Sequence, residues 1–142
     1  MLALVIGSTM RVVTEAIDDW LAQFELHPTL RPHVQAVFAA LPEAVRGDLM
    51  ADPAFVICDY EPDPGRSFQV PVGMPDGQGG SRSVVLKRTL RRRSPDFIRW
   101  LVAHELAHAH LRNEGRWPSE DPEHAADALA AAWGFPRPAS RS

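Results

Sequence analysis

The run Ser94-Pro95-Asp96-Phe97-Ile98-Arg99-Trp100-Leu101-Val102-Ala103-His104-Glu105-Leu106-Ala107-His108 opens like a helix and carries an H-E-x-x-H motif at its far end. Ser94 suits the cap, Pro95 the first helical position, and Asp96 supplies an acid in the first turn. The helix should run to Leu111 or Arg112 and stop near Gly115. Four residues make slightly more than one helical turn, so His104 and His108 project from one face, roughly 6 Å apart along the axis. Both ring nitrogens can then reach one metal ion at about 2.0–2.1 Å. Glu105, one residue on, flanks the ion instead of ligating it and can take a proton from a water that the metal activates. Trp100, Leu101, Val102, Leu106 and Ala107 argue that the motif is buried. A carboxylate buried between two imidazoles is costly without a metal or another partner. The competing reading is two surface histidines on an amphipathic helix.

Zinc needs a third protein ligand if one position is to stay open to water. A second helix start follows at Asp121-Pro122-Glu123, with a stop at Gly134. Residues 113–120, with Gly115 and Pro118, are long enough for the two helices to turn back on each other. Glu123 and Asp127 are four apart and share a helix face. One of them can bind the metal while the other fixes a ligand imidazole by accepting its second N–H. His124 is the rival third ligand, and would leave Glu123 as a solvent-facing acid. His110 lies on a different face from His108 and reads as a surface or second-site histidine. Tyr60, the only tyrosine, is a candidate donor to a transition-state oxyanion, with His110, His124 and nearby arginines as alternatives. The ligand types favour zinc, although iron, cobalt or manganese could occupy the same atoms.

Working outward, residues 1–52 read as helical. The opening MLALVIG is too short for a membrane span, which takes about 20 residues, and lacks the basic start of a leader. It is expected to be the first buried segment, with a cytoplasmic location as the default. Val12, Val13, Ala16, Ile17, Trp20, Leu21 and Phe24 recur at helical spacing, and His27-Pro28 should end that helix. Residues 30–41 read as a second helix with Val34, Val37, Phe38 and Leu41 inward. Pro42 can begin a third, through Met50. Residues 53–93 read as a small sheet. Residues 55–58, 68–72 and 83–86 are the strand candidates, separated by a turn at 61–65 and a Gly-rich loop at 76–81. Their closeness in sequence favours an antiparallel or mixed three-stranded meander. Residues 94–135 hold the two metal-binding helices, and 136–142 read as a frayed tail. The expectation is one α+β domain with a metal-binding C-terminal half.

The composition excludes several classes. At 142 residues, 45% hydrophobic and 23% charged, the chain is an ordinary globular length and mixture. A formal net charge of −3 argues against nucleic acid or a membrane surface as the partner. The single cysteine, Cys58, rules out an intramolecular disulfide and an all-cysteine zinc site; flanked by apolar residues, it reads as a small core side chain. Lys87, Arg88, Arg91, Arg92 and Arg93 form a basic run. Its plain reading is a solvated connection, and its sharper one a subsite for an acidic substrate or a docking patch for an acidic partner or nucleic acid.

H-E-x-x-H followed by E-x-x-x-D on a later helix resembles the gluzincin arrangement. Compact size and the run Glu123-His124-Ala125-Ala126-Asp127-Ala128-Leu129 make the chain resemble most the ImmA/IrrE-type metallopeptidases, over residues 101–135. The chain departs from that pattern at Ala125 and Leu129, where the family carries Glu and Phe, and it shows no helix-turn-helix module; a separate minimal zincin group is the other placement. The resemblance implies a zincin-like fold, His104, His108 and Glu123 as zinc ligands, Glu105 as base, and Asp127 behind a ligand imidazole. It also implies residues 83–86 as an edge strand that aligns an extended peptide. The expected activity is zinc-dependent hydrolysis of peptide bonds in a peptide or protein substrate. The alternatives are a non-catalytic zincin-like binding or regulatory module working with a protein partner, and a zinc hydrolase acting on a non-peptide amide.

Overall fold

The computed structural model describes residues 2–60, 82–113 and 122–139, and the side chains of all of these except 2–10, 112, 113 and 122. Three helices come first: α1 (Leu2–Leu21), α2 (Arg31–Ala40) and α3 (Glu43–Ala51). Strand β1 (Phe55–Tyr60) follows, then β2 (Arg82–Lys87), a 3-10 turn over Arg88–Arg92, α4 (Pro95–Asn113) and α5 (Pro122–Ala132). The architecture is α+β, as expected. Among the described residues no helix is long and apolar enough to cross a membrane.

The helix ends are closed largely by arginine. The Arg31 guanidinium donates to the carbonyls of Leu21 at 2.9 Å and Phe24 at 3.1 Å, and the Gln23 amide donates to Trp20 O at 2.8 Å. These bonds satisfy carbonyls that a helix end leaves without a partner. The helix, expected to end at His27-Pro28, stops at Leu21. Arg46 does the same for α2, reaching Phe38, Ala39 and Leu41 carbonyls at 3.2–3.5 Å. Ile17 and Leu21 are buried and Val13, Trp20 and Phe24 pack on the core. Val12 and Ala16 do not join that face: Val12 is 64% exposed and Ala16 is exposed too. The inward stripe runs through 13, 17, 20, 21 and 24, one residue round from Val12. In α2, Val34, Val37 and Phe38 are buried as their spacing predicts, with Leu41 just beyond. Trp20, Phe24, Phe38 and Phe55 meet at ring separations of 5.0–6.2 Å, mostly edge to face, the arrangement aromatic quadrupoles favour.

The sheet corrects the expected meander. Among the described residues it has two strands, β1 and β2, and they run parallel, with Ile57 opposite Val84 and Asp59 opposite Leu86. A tight turn cannot join parallel strands; a crossover of a dozen or more residues is needed. The 21 residues from 61 to 81 meet that requirement, which closeness in sequence alone had concealed. The expected strand at 68–72, the turn at 61–65 and the loop at 76–81 lie outside the described residues, as do the side chains of the MLALVIG run, the link between α4 and α5, and residues 140–142.

Alternation along β1 sends Phe55, Ile57 and Asp59 inward and leaves Val56, Cys58 and Tyr60 half-buried. Cys58 is thus at the sheet's outer face and not in the core. Burial pushes its thiol above the usual range, and Asp59 and Glu25 add to the rise, so a reactive thiolate is not favoured. Buried Asp59 accepts from the His27 backbone N–H and from Arg88 Nε at 3.0 Å. Within the basic run, Arg88 is therefore an ion-pair partner of Asp59, and Leu90 of the 3-10 turn is buried.

The helix α4 sits at the centre and packs against α5, α2, β2 and α3. Ile98, Trp100, Val102, Ala103, His104, Leu106, Ala107 and Ala109 are all buried, so the helix is enclosed on several sides rather than along one stripe. Its start is the expected one: Ser94 Oγ accepts the Phe97 N–H at 3.3 Å, and Ser94 O accepts the Ile98 N–H at 2.9 Å. Among the described residues it is helical through Asn113, and the expected stop near Gly115 lies outside them.

Candidate metal centre

Two alanine stripes bring the site together. Ala103 and Ala107 on α4, and Ala126 and Ala130 on α5, are fully buried. Helical periodicity places the first pair beside His104 and His108, and the second pair beside Glu123 and Asp127. Side chains that small let two packed helices approach closely, so the carboxylates of α5 come over the imidazoles of α4.

Nε2 of His104 lies 3.2 Å from Nε2 of His108 and 2.8 Å from Oε2 of Glu123, and Nε2 of His108 lies 3.3 Å from Oε1 of Glu123. Donors about 2.0–2.1 Å from a tetrahedral ion stand about 3.3 Å apart. The 3.2 Å between the two Nε2 atoms is close to that value, and a carboxylate oxygen of Glu123 lies within 3.3 Å of each, so the group could hold a metal ion. Chemistry points the same way. Asp127 Oδ1 faces the other nitrogen of His104, Nδ1, at 2.8 Å. A proton on Nδ1 suits that contact and would present the Nε2 lone pair toward the carboxylate of Glu123 and toward His108. Converging lone pairs ask for a cation. Among the described residues, His104, His108 and Glu123 are the one group of three or more that could hold a metal ion.

His104 is 6% exposed, while the side chain of Glu123 is 68% exposed, so the site opens on the α5 side. The His104 ring beside it, with His108 assisting, holds the Glu123 carboxyl below its ordinary range, against the opposing effect of burial. Glu105, one position after His104, is affected in the opposite sense. Burial raises its carboxyl above the usual value; His108 and His104 draw it partway back, and Glu123 adds to the rise. Neighbouring carboxyls are thereby separated into a stronger and a weaker acid, a division that acid–base sites use.

The structure brings together His104, His108, Glu123 and Asp127. Glu105 is on the same helix, half-buried. His124 is exposed on α5 and outside the cluster. Tyr60 stands on a different element, at the end of β1 opposite Lys87. His110 is half-buried and paired with Asp48: its Nδ1 lies 2.8 Å from Asp48 Oδ2, which also accepts from Arg82 at 2.7 Å. Sequence reasoning passed over that cluster, because α3, β2 and α4 meet only in three dimensions. It read Trp100 only as an apolar neighbour of the motif, although the interval of four residues from Trp100 to His104 to His108 could have marked a common face. Comparison of the chain with protein-family models, curated proteins and solved structures found no match.

Proposed function

We propose that this chain is a zinc-dependent peptidase of zincin type, with His104, His108 and Glu123 as metal ligands and Glu105 as general base. The observation that carries the reading is the convergence of two imidazole Nε2 atoms and one carboxylate at 2.8–3.3 Å, with Glu105 next to the first ligand. A bound zinc ion supplies a Lewis acid that polarises a carbonyl and acidifies water. Glu105, raised above its ordinary range by burial, is suited to accept a proton from water and to return it to the leaving amine. Asp127 holds His104 in one tautomer. Glu123, exposed on α5, closes the donor set from the solvent side.

The test is Glu105→Gln beside Glu123→Ala, with elemental analysis and peptide turnover on each. The expected result is near-stoichiometric zinc in the wild type and in Glu105→Gln, less zinc in Glu123→Ala, and turnover in the wild type alone. Turnover that survives Glu105→Gln would reject the base assignment. Zinc bound without turnover on any peptide library would favour the non-catalytic module, and turnover of non-peptide amides alone would move the substrate class.

A further inference from the structure

Asp127 has more partners than the metal centre requires. Its Oδ1, 2.8 Å from His104 Nδ1, also accepts the indole N–H of Trp100 at 3.1 Å. Its Oδ2 lies 4.0 Å from Nη1 of Arg137. The Arg137 guanidinium in turn lies over the Trp100 ring, 5.1 Å from its centroid. The Trp100 ring is tilted against the His104 ring with centroids 5.5 Å apart. Trp100 is 6% exposed, and an indole N–H in such a place needs an acceptor; here the acceptor is the carboxylate that orients a metal ligand.

The route by which Arg137 arrives is specific. After α5 the Gly134 N–H bonds Ala131 O at 3.0 Å and the Phe135 N–H bonds Ala130 O at 2.9 Å. Gly134 has φ of 100°. This is a Schellman ending, which needs a left-handed residue and turns the chain back on the helix it has just left. Phe135 then packs on the core, and Arg137 is carried back to Asp127, ten residues earlier in the sequence.

We infer that Trp100 and Arg137 are positioning residues of the metal centre. Together they fix the Asp127 carboxylate so that it faces Nδ1 of His104 and the Nε2 lone pair points at the ion. Trp100 supplies a buried directional bond. Arg137 supplies a screened charge from the surface and covers the indole. The inference rests on the metal-centre reading above and adds to it two residues that do not touch the ion.

The experiment is zinc affinity of the full chain, by competition with a chromophoric chelator, for the wild type, Trp100→Phe, Arg137→Gln, Asp127→Ala, and each of the first two combined with Asp127→Ala. Trp100→Phe keeps a ring and removes the N–H. It should weaken zinc binding about tenfold, the low end for a group that orients a ligand. Arg137→Gln should weaken it about twofold at low salt and less at high salt. In the Asp127→Ala background neither change should weaken binding further, since groups acting through one partner are not additive. Equal losses in both backgrounds would show that Trp100 acts by packing, and would overturn the inference. So would unchanged affinity in both single variants. If Trp100→Phe does not fold, the exposed Arg137→Gln carries the same comparison. A wild type that binds no zinc overturns the metal-centre reading and this inference with it, whereas zinc binding indifferent to Trp100 and Arg137 overturns this inference alone.

Discussion

Oδ1 of Asp127 on α5 lies 2.8 Å from Nδ1 of His104 on α4, so a carboxylate from one helix decides which nitrogen of the other helix's histidine is free to bind. Asp127→Ala should therefore lower zinc affinity about 10- to 100-fold while far-ultraviolet circular dichroism stays that of the wild type. Chelator competition measures the first and the spectrum checks the second. Affinity unaffected by the change would mean that His104 is oriented by other contacts.

Metal binding should stabilise the fold, because its donors come from two helices and the unfolded chain does not hold them together. With zinc at about a hundredfold excess over its Kd, the gain is about 2.7 kcal/mol, or roughly 8 °C in Tm for a chain of this length. Thermal denaturation with and without zinc, and again after a chelator, measures it. His108→Ala should remove most of the shift. A shift of equal size in His108→Ala would place the stabilising ion elsewhere.

Buried alanines flank the candidate ligands on α4 and α5. Ala126, fully buried, lies beside Glu123 on α5. Ala126→Leu should push the helices apart and cost about 1–3 kcal/mol of stability by overpacking. Its effect on zinc affinity should exceed that of a mutation of equal cost in the aromatic cluster, such as one at Phe38, because only the first displaces a ligand. Urea denaturation and zinc titration on the two variants make the comparison. Equal affinities at equal stability would argue that α5 adapts without moving Glu123.

A charged cluster on another side of α4 should contribute to acid stability. Arg82 is 2% exposed and pairs with Asp48 at 2.7 Å and Asp52 at 3.2 Å. Burial by itself would raise the Asp48 carboxyl, but hydrogen bonds with His110 and Arg82 outweigh it and hold that carboxyl below its ordinary range. A folded-state pKa below the unfolded one, about 3.9, contributes stability that is fully present above that pH and is lost as pH falls through the lower, folded value. Asp48→Asn should cost about 3 kcal/mol near neutrality, since it leaves a buried guanidinium short of a counter-charge. The gap between wild type and variant should narrow below about pH 4. Denaturant midpoints across pH 2–7 (about five points) test this; a gap constant with pH would show that the Asp48 charge is not what matters.

Much of the site was legible because helical periodicity is local. Ser94-Pro95-Asp96 marks the start of α4, and the H-E-x-x-H spacing puts His104 and His108 on one face whatever surrounds them. Glu123 and Asp127 share a face of α5 for the same reason, and Gly134 marks its end. The first helix was less legible: its apolar residues span several registers, and only packing against Phe38 and Phe55 selects the stripe through Ile17 and Leu21. The last carbonyl of α1, that of Leu21, accepts from Arg31, ten residues away in sequence, a contact that no local pattern marks.

Sequence alone determined which residues could serve as donors, which helices carry them and where α4 begins, because caps and a 3.6-residue period act over a few neighbouring residues. Tertiary structure decided the rest. The parallel pairing of β1 with β2 joins segments separated by 21 residues. That Glu123 and not His124 comes beside His104 and His108 depends on the face that α5 turns toward α4. The partners of Asp127, Trp100 and Arg137, are set by a helix contact and a chain reversal. Each is a contact between segments distant in sequence, and such contacts are selected by burial and packing of the whole core, which no local pattern specifies.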